Sequence, residues 1–551
     1  MSALRHSAPQ RRLSVEPARR KVSAPPRFRA GELISAYRAQ EITRVVTLPD
    51  EAQPADGRIP FRTKFAFGLG TSAEYIALLS MGSYAMLFYN QVLGVPATLA
   101  GAAVSLSLLL DGFADPILGS LSDRTRSRLG RRHPFMFAAP LPIALSLIAI
   151  FNPPAGWEPL WLFGWFFTFI VSLRVCMAAF HTPHLALGGE LSSDYTERTR
   201  IMSYNTIMGG MGAMIWAFIA LRVFFKATPE YSRGLLNPDA YAPYAFWSAG
   251  IAFSLLMASA WFTRDRIPTL PQPADDLPKF SPFEFLRDLG KALTNRNYVW
   301  ILIAYFFLSL TLGLRAGLSL YVNTFFWELT SEQLSWFVLG ALGGAILGGT
   351  LATRLHQRWD KKRTILVGCV GLAAIPAIPL VLRLMGLMPA NGTMQLMIAL
   401  LLFSLATLTF TAVIQISVMS ALADIADENE VKHGHRQEGV LYSTRALFAK
   451  IDQALGQFLA GVALDLIAFP PKAVPGEVPG DVLFKLAVVE GPVAMIPGLI
   501  AVAFYARYRI TRTSHAAMQA ELAARRGRKA ADAETPPVVI PGAVDAGAPA
   551  E

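Results

Sequence analysis

Residues 103–132 read AVSLSLLLDGFADPILGSLSDRTRSRLGRR, and this stretch decides the fold. Eight apolar or small residues, Ala103 to Leu110, run directly into Asp111-Gly112-Phe113-Ala114-Asp115-Pro116. An ionisable group inside a hydrocarbon layer is expensive, so a carboxylate in such a run marks a working site. The i,i+4 spacing puts Asp111 and Asp115 on one helical face. Two carboxylates that close repel, so one stays protonated unless a cation neutralises the pair. The pair therefore suits Na⁺, H⁺ or Li⁺. The apolar run upstream argues against a surface or helix-end pair.

The residues that follow form a gate element. Gly119 permits close helix approach, Asp123 can cap the helix or pair across the loop, and Arg124 and Arg131 anchor at the membrane surface. A plain basic anchor would look similar.

Working outward, apolar stretches of this kind recur along all of the 551 residues, of which 53% are hydrophobic and only 16% charged. Soluble domains carry about 25% charged residues. Candidate spans, each able to cross a ~30 Å hydrocarbon core, fall at 64–92, 97–121, 134–152, 159–188, 200–225 and 243–263. After a polar stretch, 264–297, six more follow at 298–327, 332–355, 364–386, 395–423, 439–467 and 484–507. The expected fold is an all-α membrane protein of twelve helices in two six-helix bundles, 61–263 and 298–508. Residues 264–297 are read as a cytoplasmic central loop with an amphipathic piece from Phe283 to Leu289. Residues 1–60 and 509–551 are read as disordered cytoplasmic tails, the first basic and without a visible signal peptide.

Lysine and arginine set the orientation. The 2–3 connection holds Arg124, Arg126, Arg128, Arg131 and Arg132, and the 8–9 connection holds Arg358, Lys361, Lys362 and Arg363. The 1–2 turn, Gly94 to Thr98, carries no charge, and the 3–4 turn only Glu158. Basic connections alternate with poor ones, which places both termini on the cytoplasmic side. The net charge of +11 is then loop charge and not a nucleic-acid surface. Cys176 and Cys369 both lie in spans, so no disulfide framework is expected. The halves also echo each other: span 4 leads into Glu190-Leu191-Ser192-Ser193-Asp194, and span 10 into Asp424-Ile425-Ala426-Asp427-Glu428. Parallel repeats about a membrane-normal axis leave such a pattern in transporters.

Lys450, mid-way along span 11, is too deep to snorkel easily and needs an anionic partner. The Asp111/Asp115 pair is the better candidate. Asp452, two residues on, faces away from Lys450 on a helix, and a pairing confined to the second half is the alternative. Glu74 in span 1, Arg174 and His181 in span 4, and Arg315 in span 7 are further buried charges. Glu74, His181 and Arg315 are candidate substrate contacts; each could equally form an internal salt bridge or, for His181, a packing contact.

At these residues the chain resembles the glycoside–pentoside–hexuronide:cation symporter family of the major facilitator superfamily. The matching stretches are Lys64 to Gly70, the Asp111/Asp115-Pro116 element, Thr125 to Arg131, Ala423 to Asp427, and Tyr442-Ser443 with Lys450. The resemblance implies Asp111 and Asp115 as metal-ion or proton ligands and Lys450 as the residue linking helix 11 to that site. Sugar permeases of the family place an acidic residue in helix 4 and an arginine in helix 5. Here those positions fall on His181 and near Thr206, which puts the sugar in question and admits an amphiphile such as a lysophospholipid. The expected function is symport of a small organic solute, a sugar or glycoside, with Na⁺ or H⁺, by a monomer in a bacterial inner membrane. No other cofactor and no nucleic-acid partner are expected. A non-transporting receptor or scaffold has no reason to keep the Asp111/Asp115/Lys450 set, and no nucleophile–base motif supports an enzyme, since His433 and His435 lie in a polar loop.

Overall fold

The computed structural model describes residues 58–270, 293–433 and 438–534, with Arg287 and Gly290 between them. The expected basic tail up to residue 57, the amphipathic piece near Phe283, His435 and the last residues from 535 lie outside the described residues. Among the described residues the chain is helical throughout.

The first half contains α1 (61–92), α2 (Ala97–Arg124), α3 (His133–Ile150), α4 (Pro159–Glu190), α5 (Thr196–Phe224) and α6 (Tyr241–Thr263). The second contains α7 (Arg296–Phe326), α8 (Ser331–Arg358), α9 (Lys361–Ala374 with Ala377–Leu384), α10 (Met394–His433), α11 (Glu438–Leu466) and α12 (Gly480–Tyr505). Nine of the described helices are long and apolar enough to cross a membrane, and α9, bent by 40° at Pro376, makes a tenth. The two that complete the twelve, α1 and α11, are less apolar: α1 carries Arg62, Lys64 and Glu74, and α11 carries Arg445, Lys450, Asp452 and Asp465.

Local chemistry sets the helix starts. Thr330 and Gln333 close a capping box on α8 at 2.9 and 3.2 Å, satisfying two of the orphan N–H groups of a first turn. Asp194 accepts from the Glu197 N–H at 2.7 Å ahead of α5, and Asn295 caps α7. π-turns interrupt α1 at Ser80–Tyr84 and Phe88–Val92, and one ends α7 at Val322–Phe326; such bulges re-aim the side chains of a long helix.

The helix packing repeats with a shift of six. α1 packs on α5 and α6, α2 on α4, and α3 on α4 and α6; likewise α7 packs on α11 and α12, α8 on α10, and α9 on α10 and α12. The halves meet through α2 against α11 and α5 against α8, which is also symmetric. This is the two-bundle major facilitator fold.

Here the base is the end where α1 begins and α12 finishes, and the top is the opposite end. At the top one apolar core holds residues of both halves, among them Tyr89, Phe151 and Tyr241 of the first and Tyr321, Phe325 and Phe469 of the second. Toward the base the second half has a separate core around Tyr298, Leu422 and Tyr505.

One expectation is corrected. The 509–551 stretch is not wholly a disordered tail: α13 (Arg512–Glu534) is a helix lying against the base of α10. Its His515 and Gln519 reach Asp427 at 3.1 and 2.6 Å, and Arg526 reaches Glu430 at 3.0 Å. An alanine-rich run with an i,i+4 Glu521–Arg525 pair is a good helix former, and the acidic end of α10 gives its basic face a partner. α10 itself runs ten residues past its expected end at 423, because those carboxylates are paired and need not reach open water.

Candidate cation and substrate site

α2 is continuous from Ala97 to Arg124 with Pro116 inside it, so Asp111 and Asp115 share a face one turn apart. Gly112 stands between them. A Cβ there would lie 3.1 Å from Leu447 and 3.8 Å from the Lys450 stem, so the glycine lets α11 approach. Lys450 Nζ donates to Asp111 Oδ2 at 2.8 Å and to Asp115 Oδ2 at 2.6 Å. The ion pair is partly screened: Lys450 is 24% exposed, Asp111 15% and Asp115 34%.

α4 supplies the second cation. Arg174 Nη1 lies 3.8 Å from Asp111 Oδ2, and its Nε donates to Ser107 Oγ at 2.8 Å. Two carboxylates therefore face two cations. One cation is fixed within the first half and the other comes from the second half. About two turns further along α4, Thr182 Oγ1 donates to Asp115 Oδ1 at 3.4 Å, and its methyl would meet a Cβ at Gly119 at 3.2 Å. Asp111, Asp115 and Thr182 thus offer hydroxyl and carboxylate oxygens, hard donors of the kind Na⁺ takes. Among the described residues no cluster of three or more His, Cys, Asp or Glu could hold a metal ion.

Next to this set, His181 Nδ1 meets Glu74 Oε2 at 2.8 Å. The Glu74 carboxylate is 3% exposed, whereas the His181 side chain is 46% exposed although it sits mid-way along a membrane helix. A half-exposed imidazole at that depth needs a water-filled cavity. Glu74, His181, Asp111, Asp115 and Lys450 thus form one polar wall.

Arg315 is not brought there. Its Nη2 donates to the Ala373 carbonyl of α9 at 3.0 Å, and it faces Glu490 of α12 within the second half. The face of α7 that carries it is the one that packs on α9 and α12. Thr206 hydrogen-bonds back to Met202 O on its own helix. Sequence reading missed His184, which stands 3.7 Å from Glu74, and Asp465 at the top. The i,i+3 spacing of His181 and His184 was a usable signal for the first; nothing marked the second.

The gate residues pair inside their own half. Arg132 reaches Asp123 at 2.6 Å, and Arg131 and Arg132 both reach Glu190 at the end of α4, at 2.8 and 2.7 Å. In the second half Lys361 pairs with Asp424 at 2.7 Å, the counterpart of that clasp. From the level of Asp115 to the top, a series of hydrogen bonds joins the two halves. Asp465 of α11 accepts from the Ala97 and Thr98 N–H groups that begin α2, at 3.1 and 2.8 Å. Tyr321 donates to Asn90 at 3.0 Å, and Arg222 to Ser335 at 2.8 Å. A Cβ on Gly461 would strike the Ala97 carbonyl, so the glycine is what permits this closure. The halves are bolted at the top and at mid-depth.

A two-bundle helical protein with an inter-bundle ion pair at mid-depth has the construction of a secondary transporter. A family model described as MFS/sugar transport protein matches residues 66–512. The chain belongs to that family. An uncharacterised symporter of Synechocystis is 26% identical, over 85% of this chain and 97% of its own length. An isoprimeverose transporter of Lactiplantibacillus pentosus is 24% identical, over 74% of this chain and 80% of its own length. The inward-open xylose transporter of Escherichia coli superposes with a TM-score of 0.52 over 82% of this chain and 96% of its own, at 13% identity, which speaks for the fold alone. The protein is a multi-pass membrane transporter and not an enzyme.

Proposed function

We propose that this transporter carries a sugar or glycoside in symport with Na⁺ or H⁺, by alternating access of the two halves. One observation carries the reading: Lys450 of the second half occupies the position between Asp111 and Asp115 of the first. A cation that binds those carboxylates competes with the lysine, so binding it loosens the bolt between the halves. Cation occupancy and the rocking equilibrium are thereby linked, as symport requires. Asp111 and Asp115 are the cation ligands and Lys450 the counter-charge that reports their occupancy. His181 presents its ring to the cavity for a substrate hydroxyl, with Glu74 behind it. The clasps of Asp123 and Arg131 with their neighbours, with Gly119 and Arg124 beside them on α2, belong to the base gate, which closes in the opposite state.

The partition into bundles 61–263 and 298–508, a monomeric state, residence in a bacterial inner membrane and cytoplasmic termini complete the proposal. With that orientation, the present state, bolted at the top, is inward-open. Its support is the alternation of basic and uncharged connections. Reporter tags at either terminus should be reached only from the cytoplasmic face; a tag at the C-terminus reached from outside would overturn the topology.

The direct test is counterflow of labelled sugars in proteoliposomes, with isoprimeverose and xylose in the panel and Na⁺ present or absent. Saturable exchange of a sugar supports the reading. A second reading is favoured by the apolar groove of 1060 Å³ lined by Phe65, Leu69, Ile76, Ile207, Met208 and Ile215 of α1 and α5, which has the dimensions and character of an acyl-chain site. Exchange of lysophosphatidylcholine with no response to any sugar would replace the sugar with an amphiphile.

A further inference from the structure

Behind His181 stands an ionisable cluster that the Asp111–Asp115–Lys450 set leaves unused. Glu74 Oε2 is held by His181, but Glu74 Oε1 is buried without a hydrogen-bond partner and lies 3.7 Å from His184 Nδ1. His184 is 1% exposed. Its ring stacks on Phe67 at 4.2 Å and on Phe180 at 5.2 Å. Its Nε2 lies 2.8 Å from the Phe67 carbonyl oxygen. A carbonyl only accepts, so Nε2 carries the hydrogen. In the neutral ring, Nδ1 is then a bare lone pair facing a bare carboxylate oxygen.

Two buried acceptors facing each other are costly, because neither has water or a donor to replace what burial removed. One added proton relieves both. It can sit on Glu74 as a carboxylic acid turned toward Nδ1, or on His184 as an imidazolium turned toward Oε1, and in either form the 3.7 Å gap closes to a hydrogen bond. The site is sealed on the His184 side by the two aromatic rings and open on the other through half-exposed His181. A proton from cavity water adds to the outer nitrogen of His181 while its Nδ1–H passes to Glu74 Oε2. The donor, a hydronium, leaves as water: its O–H bond and the His181 Nδ1–H bond break, an N–H bond at His181 and an O–H bond at the carboxylate form, and rotation of the carboxyl group turns that O–H toward His184.

We propose that Glu74, His181 and His184 form a proton-binding site of their own, separate from the Asp111/Asp115 pair, and that a proton is a coupling ion of this transporter. The charged neighbours fit that role. From α2 and α11, Asp115 and Lys450 act electrostatically on His181 with opposite sign, so movement of the lysine between states changes how tightly the proton is held. Arg174 of α4 is committed to Asp111 and Ser107. α5 meets α1 through Asn205 on Thr71 and, at the base, Glu197 on Lys64. α6 brings Ser259 beside Gly70 and Tyr244 on Ser80, neither of which ionises near neutral pH.

The use of this proton in coupling rests on the symport reading; its binding does not. Infrared pH-difference spectra of the full-length purified protein in detergent test the binding with no substrate. A pH-dependent carboxyl or imidazole band is expected in the wild type and in the Asp111→Asn/Asp115→Asn variant. It should be lost in Glu74→Gln and, as a second variant against a folding failure, in His184→Gln. Difference spectra of Glu74→Gln and His184→Gln that match the wild type would overturn the proposal, as would loss of the band in the Asp variant. Coupling is read separately as sugar-driven alkalinisation outside Na⁺-free vesicles; accumulation that requires Na⁺ and moves no proton overturns that part. A failed counterflow panel with the infrared band intact instead removes the sugar reading and leaves the proton site standing.

Discussion

Replacing Lys450 with methionine keeps the unbranched stem of the side chain and removes the ammonium that joins the halves. The wild-type lysine makes two charge-assisted hydrogen bonds, at 2.8 Å to Asp111 and 2.6 Å to Asp115. A hydrogen bond to a charged group contributes about 1.5–3 kcal/mol when shielded. Asp111, 15% exposed, falls inside that range at about 2 kcal/mol; Asp115, 34% exposed, is screened toward about 1 kcal/mol. Together they favour the present state by about 3 kcal/mol, roughly a hundredfold in population. The contacts between the halves at the top are untouched by the change. Paired spin labels at the base ends of α2 and α11, in a background without Cys176 and Cys369, report the distance distribution in lipid nanodiscs. Lys450→Met should deplete the present distance by about a hundredfold relative to its alternative, unless the wild type already populates only one state, in which case a second peak must emerge. A distribution within about twofold of the wild type would refute the claim that this ion pair sets the rocking equilibrium.

Asp111→Asn and Asp115→Asn should each abolish cation-coupled accumulation while the protein stays inserted, because one neutral amide cannot replace a carboxylate toward either Lys450 or a cation; concentrative uptake by both single variants would remove the assignment. His181→Ala should raise the half-saturating sugar concentration about twofold to tenfold, the cost of one net hydrogen bond, measured by counterflow; an unchanged value would take His181 out of the substrate contacts. Gly461→Val should disfavour closure at the top, since its side chain must displace the Ala97 carbonyl; thiol labelling from outside at a cysteine placed in the cavity should rise severalfold, and an unchanged rate would show that α2 and α11 do not need this approach.

Much of the fold was open to reading because a bilayer allows few solutions. A spanning segment needs about 20 apolar residues and must satisfy its own backbone, so hydropathy alone returned twelve helices, six on each side of a polar stretch. The Asp111/Asp115 pair was legible for the same reason: i,i+4 spacing is local geometry, and charge amid leucines has few structural excuses. Its partnership with Lys450 could be weighed from the sequence, since a lysine that deep needs an anion, but the 339 residues between Lys450 and Asp111 are closed only by the packing of α11 on α2.

Which face of a helix looks inward was decided by tertiary structure. Glu74, His181 and Arg315 had equal standing as buried charges along the chain. In the fold the first two meet at 2.8 Å, and the third turns to a backbone carbonyl in the second half. A helix places residues on a rigid cylinder, but its rotation about the axis is set by glycine contacts such as Gly313 against Gly456 and Gly461 against Ala97, which are properties of pairs of helices. α13 shows the same limit from the other side. Its sequence is polar and alanine-rich, and only the acidic end of α10 gives that helix a surface to lie on. The sequence by itself determined the number of spans, the alternation of basic connections and the presence of a carboxylate pair within a span; the tertiary structure decided which charges meet across the halves, because those distances depend on how two helices seat against each other.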